Sequence, residues 1–411
     1  MTTCAVSSSA GVLQPTRQRT NPFMRALYGL LGGYTVLVCG NSLLTTLISL
    51  RMLEGAHGAL GVGLVQSCYY VGFIAGALGL GPLVGRIGPQ RAFIGFGALT
   101  ALAALGYLSF DSPDAWAALR FVTGFSMVGV FTSIESGVNG AVPNERRGRA
   151  FALYLVLTYL GVSAGQFLLG VAAPGSNVEH ALVNGLYVIS LIPVALIGDW
   201  QQSVPPPVTA AAARASPLAT PKRPTLLLDG LRELARVAPR SVPACIGAGL
   251  LSSAFYALTP VYLARIGFPA GDISHAMGIV LIGALLSQWP VGRLSDRLGR
   301  RATLGVVSLV AAVAAAALIV VRAPWLVDTL LFLYVALTFT LYGVIVSDVN
   351  DHVDQTRRVQ TSATLLLVFS LGGAAGPTLA SLFMRLLGPG GLYIFALAVT
   401  LGLAALSRAR R

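Results

Sequence analysis

The chain has 411 residues, of which 55% are hydrophobic and 10% are charged, and its formal net charge is +13. A soluble domain carries roughly 25% charged residues, so this chain has too few polar side chains to cover a water-exposed surface. The basic residues stand in short clusters between long apolar runs. Nucleic-acid-binding proteins instead place them on a folded surface, often among aromatic residues, so we exclude that class and expect a membrane protein.

The first 24 residues are rich in Ser and Thr and contain Arg17 and Arg19 but no acidic residue. A cleaved signal peptide would need an apolar stretch here, and the segment has none. We interpret residues 1–24 as a disordered cytoplasmic tail, and an organelle transit peptide is the alternative.

Twelve apolar segments follow, each close to the length of about 20 residues that a helix needs to cross a bilayer. Glycine or alanine recurs in every segment, which suits close helix packing in lipid. The predicted spans are residues 27–50, 60–84, 92–110, 115–140, 150–172, 181–199, 242–264, 273–292, 302–321, 325–347, 361–386 and 389–407.

The placement of basic residues tests this number of spans. With the N-terminus in the cytoplasm, 23 basic residues fall in cytoplasmic segments and four lie at outer ends, namely Arg51, Arg265, Arg322 and Arg385. Cytoplasmic segments of membrane proteins carry the excess of arginine and lysine. The distribution therefore predicts twelve spans with both termini cytoplasmic, in a bacterial inner membrane.

Residues 200–240 form the longest interruption between spans. Residues 204–224 are rich in Pro and Ala and should be extended, and apolar residues then recur at helical spacing from 227 to 237 with arginines between them. This pattern predicts an amphipathic helix at the cytoplasmic interface. The predicted domains are a six-helix half at 25–199, the linker at 200–240 and a second six-helix half at 241–411.

The two halves resemble each other. A shift of 211 residues places Arg86 and Gly88 on Arg297 and Gly299 without a gap. Two halves of the same sense imply an axis along the membrane normal, which is typical of carriers that rock around a central site. The shift also places Ser136, Asn139, Arg146 and Arg147 on Ser347, Asn350, Arg357 and Arg358.

A charged loop follows the eighth predicted span and reads Gly292-Arg-Leu-Ser-Asp296-Arg297-Leu-Gly299-Arg300-Arg301. It matches G-x-x-x-D-R-x-G-R-R, the loop signature of the major facilitator superfamily. The first copy, from Gly81 to Arg91, is degraded, since Gly85 replaces the aspartate.

Span four supports the same resemblance. Arg120-x-x-x-Gly124 resembles the arginine motif of the family, and the segment from Ile134 to Gln166 is similar to the YcaD-like bacterial subgroup. The resemblance implies an all-α membrane protein, with twelve transmembrane helices in two pseudo-symmetric six-helix bundles. It also implies a secondary transporter, coupled to protons, of a small solute.

The resemblance assigns a gating role to the charged loops. An aspartate is stabilised by the dipole at a helix N-terminus, and arginines bind helix carbonyls or anionic lipid headgroups. The alternative is that these arginines only fix the topology. We also expect Asp348 and Asp351 to form a charge network with Arg357 and Arg358. The gating residues are Gly292, Asp296, Arg297, Gly299, Arg300 and Arg301, with Arg86 and Arg147 in the first half.

Ionisable side chains inside a membrane are costly and usually functional. Arg120, near the outer end of span four, is a candidate for binding an anionic solute or steering a proton-carrying group; the alternative is snorkelling to the interface. Glu135 lies fifteen residues further on, about 22 Å away along a helix. It is a candidate proton acceptor, although we favour its pairing with an arginine of a cytoplasmic loop.

Other polar residues in the spans are candidates for the lining of a central cavity. Each is as well explained by a hydrogen bond between helices. Gly161-x-x-x-Gly165 in span five is similar to an antiporter signature but lacks its proline, and close helix packing explains it equally well. The candidates are Asn41, Thr45, Gln66, Tyr69, Tyr154, Gln166, Tyr256 and Gln288.

Rival classes lack their signatures. A nucleotide-driven pump needs G-x-x-x-x-G-K-[ST], which is missing, and the scattered cysteines and histidines predict neither a metal nor another cofactor. An enzyme would need a convergent acid–base set. We predict a monomeric secondary carrier that works by alternating access, with a small solute, the lipid bilayer and protons as partners. A sensor on the same scaffold is the alternative.

Overall fold

The computed structural model describes residues 22–55, 57–142, 144–171, 177–197, 230–232, 234–236, 238–353 and 358–408. Twelve of its helices are long and apolar enough to cross a membrane, which confirms the predicted number of spans. The predicted tail lies outside the described residues except for 22–24, and so does the linker segment 200–229.

The twelve helices are numbered here in chain order. A short 3-10 turn, Leu169–Val171, follows the fifth. They are α1 (Pro22–Glu54), α2 (Gly58–Ile87), α3 (Pro89–Ser109), α4 (Pro113–Ala141), α5 (Asn144–Leu168), α6 (Asn177–Ala195), α7 (Ser241–Arg265), α8 (Ala270–Leu298), α9 (Arg300–Val320), α10 (Pro324–His352), α11 (Arg358–Leu387) and α12 (Gly391–Arg408).

Helix α10 departs from the single uninterrupted span that the apolar run predicts. It consists of Pro324–Thr338 and Leu341–His352, which are separated by a turn. The hydroxyl of Thr338 donates to the carbonyl of Tyr334, and that of Thr340 donates to Leu337. The two threonines flank the break, but similar bonds, such as that of Thr100 to Phe96, occur inside uninterrupted helices.

The helix connections alternate between two ends of the bundle. We call the terminal face the end that holds the start of α1, the α2–α3 and α8–α9 turns and the end of α12. The opposite face holds the α1–α2 and α7–α8 turns. At the terminal face, residues 230–232 and 234–236 are helical, with Leu234 buried and Arg232 exposed.

The internal repeat is visible in the backbone. Gly88, between α2 and α3, has φ 84°, and Gly299, its equivalent between α8 and α9, has φ 85°. This left-handed region favours glycine because other residues carry a Cβ that clashes there. Both turns therefore require glycine at the same repeat position.

The repeat also governs helix packing. A Cβ on Gly161 or Gly165 of α5 would clash with the α1 backbone at Thr35 or Cys39. Such contacts let two backbones approach closely in lipid, so close packing accounts for the glycine pattern of α5. The equivalent contacts of α11 with α7 are Gly372 with Ile246 and Gly376 with Leu250.

The two six-helix halves meet through α2 with α11, α5 with α8, and α1 with α7. The Ser67 and Thr378 hydroxyls lie 2.8 Å apart, and Ser274 donates to the carbonyl of Gln166 at 2.7 Å. Ser67 and Ser274 lie in the first ten residues of α2 and α8, which begin at the opposite face. These bonds thus join the halves toward that face.

Replacing Gly124 by alanine should lower the thermal unfolding midpoint of the purified protein. Its Cβ would overlap the Tyr69 carbonyl oxygen of α2, and overpacking of this kind costs about 1–3 kcal/mol. Gly79 of α2 is exposed, and a Cβ added there would meet no atom within 4 Å, so Gly79→Ala is the matched control. The midpoints are measured by fluorescence-detected size-exclusion chromatography after heating. Equal midpoints for the two variants would contradict the packing role of Gly124.

Candidate functional site

A cavity of about 150 Å³ lies between the two halves, bounded by α1, α2, α4, α5, α7 and α11. Most of its lining comes from the first half, and Ser253, Tyr256, Ala257 and Pro377 come from the second. Six of the candidate side chains from the sequence analysis lie in this lining, although they come from distant parts of the chain. They are Asn41, Thr45, Gln66, Tyr69, Arg120 and Tyr256.

Arg120 is the charged residue of this lining. Helix α4 begins at Pro113, where the Ser112 side chain accepts from the backbone N–H of Ala115, and Arg120 follows two turns later. The side chain is 1% exposed, which rules out snorkelling to the interface. Its guanidinium carbon lies 5.3 Å from the centre of the Tyr69 ring, within the range of a cation–π contact.

The guanidinium is held by Gln66 of α2. Arg120 Nε and Nη2 donate to Gln66 Oε1 at 3.0 and 2.6 Å. Gln66 Nε2 in turn donates to the Thr45 carbonyl and the Ser49 hydroxyl of α1, both at 2.8 Å. These two donations fix the amide so that its oxygen faces Arg120.

The positive charge of Arg120 has no counter-ion in the described part of the chain. Its Nη1 is buried and has no hydrogen-bond partner. A buried charge is stable only when it is paired or hydrogen-bonded, and an unsatisfied donor costs about 1–3 kcal/mol. The site can therefore accept an anionic oxygen at Nη1.

Glu135 lies on the same stripe of α4 as Arg120, because residues 120, 124, 127, 131 and 135 are three or four apart. It is half-buried, and its Oε2 has no hydrogen-bond partner. Among the described residues it forms no ion pair, so the pairing with a loop arginine that we favoured is not seen. Arg147 instead donates to the Asn139 carbonyl at 3.4 Å.

Aromatic residues pack behind the lining of the cavity. The Tyr34 and Tyr154 rings lie 5.0 Å apart, and the Tyr34 hydroxyl lies 3.0 Å from Thr158 Oγ1. Thr158 lines the cavity and Tyr154 does not. Tyr154 is thus part of the packing around Tyr34 rather than of the lining.

Two nominated glutamines connect helices instead of lining the cavity. Gln166 Nε2 donates to the Ser42 hydroxyl at 2.6 Å, and its Oε1 accepts from Thr46 at 2.8 Å, which joins α5 to α1. Gln288 Nε2 donates to the Tyr159 hydroxyl at 3.2 Å, which joins α8 to α5. For both, the interhelical alternative describes the observed contacts.

The signature loop forms an ion cluster at the terminal face. Arg300 Nη1 lies 2.7 Å from Asp296, and Arg300 Nε lies 3.1 Å from Asp351, so the ends of α8, α9 and α10 are joined. Asp351 pairs with Arg300. The network expected between Asp348, Asp351, Arg357 and Arg358 stays a prediction, because Arg357 and the Arg358 side chain lie outside the described residues. Arg297, Arg301 and Arg86 are exposed. Gly292 lies in the second-last turn of α8, and Gly299 lies in the connection after that helix.

The first half has none of the three charged residues of this cluster at the equivalent positions. The shift of 211 places Asp296 on Gly85, Arg300 on Pro89 and Asp351 on Gly140. All three charged partners are thus replaced by residues without a polar side chain. The central site shows the reverse asymmetry, since Gln66 and Arg120 correspond to Met277 and Leu331, which are buried.

The sequence patterns did not indicate Ser49, Tyr34 or Thr158 as part of the site. A signal for Ser49 was present, because Asn41, Thr45 and Ser49 recur every four residues and form a polar stripe on α1. Tyr34 gave no such signal, since an aromatic residue in an apolar helix is usually part of the packing.

Replacing Gln66 by methionine should destabilise the protein, because Arg120 would lose its described acceptor in a buried site. A double variant, Gln66→Met with Arg120→Leu, reproduces the residues of the second half and should recover most of the stability, since both partners become apolar. The measurement is the unfolding midpoint of the wild type, both single variants and the double variant. A double variant as unstable as Gln66→Met would contradict the coupling.

Comparison with known proteins supports a common ancestry. The sequence model of the Major Facilitator Superfamily matches residues 30–377. The MFS-type transporter YcaD of Salmonella newport (strain SL254) is 27% identical over 368 residues, which cover 89% of this chain and 90% of that protein.

Solved structures agree in fold. A bacterial homologue of the human lysosomal transporter Spinster, in an inward-facing and unoccupied conformation, matches with a TM-score of 0.76 and 15% identity over 94% of this chain and 96% of that one. A mutant of the nucleoside transporter NupG matches with a TM-score of 0.76 and 14% identity over 94% and 99%. Because the family match spans most of the chain, this protein belongs to the major facilitator superfamily, a family of membrane transporters and not of enzymes.

Proposed function

We propose that this secondary transporter carries a small solute with an anionic group, by alternating access to a site at Arg120. The observation that carries the proposal is the buried Arg120 guanidinium, whose Nη1 has no acceptor and which faces the cavity between the halves. Carboxylate and phosphate oxygens form strong, often bidentate hydrogen bonds with arginine. Such a group would satisfy Nη1 and compensate the buried charge.

The rest of the cavity indicates the body of the solute. Tyr69, Tyr70 and Tyr256 contribute aromatic faces and hydroxyl groups, and Asn41 contributes an amide. Ligand sites combine a mostly apolar lining with a few polar groups that fix orientation. The volume of about 150 Å³ favours a small solute with one anionic end and a compact, partly apolar body.

The terminal face is assigned to the cytoplasm of a bacterial inner membrane by the excess of arginine in its loops. Two hydrogen bonds between the halves, Ser67 with Thr378 and Ser274 with Gln166, lie toward the opposite face. This arrangement supports a conformation closed to the outside. The matching Spinster homologue is described as inward-facing, in keeping with this assignment.

Proton coupling is assigned to Glu135. Its buried Oε2 has no hydrogen-bond partner, and α4 places it about 22 Å from Arg120 toward the terminal face. Desolvation disfavours a charged carboxyl, so protonation of Glu135 depends on whether its surroundings are wet or dry. Alternation between the two states would change that exposure.

The gate is assigned to the signature loop of the second half. Arg300, Asp296 and Asp351 join the terminal-face ends of α8, α9 and α10. The cluster would keep these ends together while the halves move relative to each other. Because the first half lacks all three residues, its terminal face would move with fewer constraints.

Arg120→Gln should abolish ligand binding without unfolding the protein. A panel of small carboxylates and phosphates is tested by thermal shift, in which a ligand at 100 times its Kd adds about 2.7 kcal/mol of apparent stability. Arg86→Gln removes an exposed arginine and is the matched control. A ligand that stabilises the wild type and Arg120→Gln equally would remove Arg120 from the site.

Glu135→Gln should uncouple transport from protons. In proteoliposomes given labelled ligand on the outside, an imposed pH gradient should drive accumulation by the wild type but not by Glu135→Gln. In proteoliposomes preloaded with unlabelled ligand, exchange for labelled ligand should continue in both proteins. Accumulation by the variant equal to that of the wild type would contradict the coupling role. Binding without any flux in the wild type would favour the sensor.

A further inference from the structure

A second cavity, of about 480 Å³, opens at the terminal face of the second half. It lies between residues 236 and 238–241, the start of α9, the end of α10 and the end of α12. None of its lining residues belongs to the central cavity, so the transport site does not account for it.

Four arginines surround this cavity. Arg300 is neutralised by its two aspartates, whereas Arg236, Arg240 and Arg301 form no ion pair within the described ranges. The acidic side chain among the lining residues is that of Asp348. The lining therefore carries an excess of positive charge.

One helix N-terminus lies at the same place. Helix α9 begins at Arg300, which lines the cavity, and it has no side-chain cap and no acidic residue in its first turn. Helix α7 also begins at the cavity, but the backbone N–H of Ser241 donates to the carbonyl of Ala238, and Pro243 has no N–H. The first N–H groups of a helix lack partners within the helix and, with its dipole, favour an anion.

The equivalent place in the first half is closed, which shows that the cavity is not a general feature of the fold. Gln90 Nε2 donates to the carbonyls of Val194 and Ile197 at 2.9 and 3.0 Å. The Ile197 side chain covers Gly29, where a Cβ would be 2.8 Å away. In the second half, the residues at the Gly29, Gln90 and Ile197 positions are Arg240, Arg301 and Arg408.

We propose that this cavity binds the phosphate-bearing headgroup of an anionic phospholipid. The phosphate would contact Arg240, Arg301 and the α9 N-terminus. The apolar part of the lining, which includes Leu304, Val344 and Leu406, would contact the glycerol and the first part of the acyl chains. Basic pockets between transmembrane helices attract anionic lipid headgroups. A soluble phosphate compound would carry the same charge but would leave the apolar part of the lining without a contact.

Native mass spectrometry of the full-length protein in neutral detergent tests this proposal, with phosphatidylglycerol and phosphatidylcholine as probes. The double variant Arg240→Gln with Arg301→Gln should bind phosphatidylglycerol at least tenfold more weakly than the wild type. Arg91→Gln with Arg149→Gln removes the same charge from exposed positions at the terminal face of the first half and should bind normally. An equal loss in both double variants, or in neither, would overturn the proposal.

Two further arms separate lipid binding from a folding defect and from binding of free phosphate. Arg240→Lys with Arg301→Lys keeps the charge and should bind with an affinity between those of the wild type and the glutamine variant; binding as weak as that of the glutamine variant would indicate a folding defect and contradict the site. Inorganic phosphate in excess should leave the lipid bound. If inorganic phosphate displaced the lipid at a concentration similar to that of the lipid, the proposal would be wrong and the ligand of this cavity would be a soluble phosphate compound. Arg120→Gln should not change any of these results.

Discussion

Helices α2 and α4 approach so closely that the Gln66 side chain of one reaches the Arg120 guanidinium of the other. Glycine makes this approach possible, since a Cβ on Gly124 would overlap the α2 backbone at Tyr69. The short distance places a buried cation beside a neutral amide and a tyrosine ring. In lipid, where no water satisfies stray donors, that packing determines whether the arginine can be accommodated at all.

The backbone is symmetric but the chemistry is not. Matching glycines pack α5 on α1 and α11 on α7, and the same glycine turn follows α2 and α8. The arginine site, in contrast, is confined to the first half, and the ion cluster is confined to the second. The duplicated scaffold keeps the glycines on which its packing depends, while the residues of the arginine site and of the ion cluster differ between the halves.

The sequence was a good guide to the scaffold and a weaker guide to the site. The number of spans follows from hydropathy and arginine placement, because the bilayer imposes one length and one charge rule. The role of Gln166 did not follow, because a polar residue in a span has the same signature whether it faces a cavity or bonds to α1. The roles of Ser49 and Tyr34 depend on which helix faces which neighbour, and the apolar run that predicts α10 gives no signal for its break.

The lack of a carboxylate beside Arg120 has an electrical consequence. The empty cavity carries one net positive charge from this residue, whereas a cavity holding a monoanion is locally neutral. A membrane potential exerts about 2.3 kcal/mol per elementary charge for each 100 mV that the charge crosses. Under the proposed function, the voltage across the membrane would therefore act on the reorientation of the empty cavity and would have little effect on that of a cavity holding a monoanion.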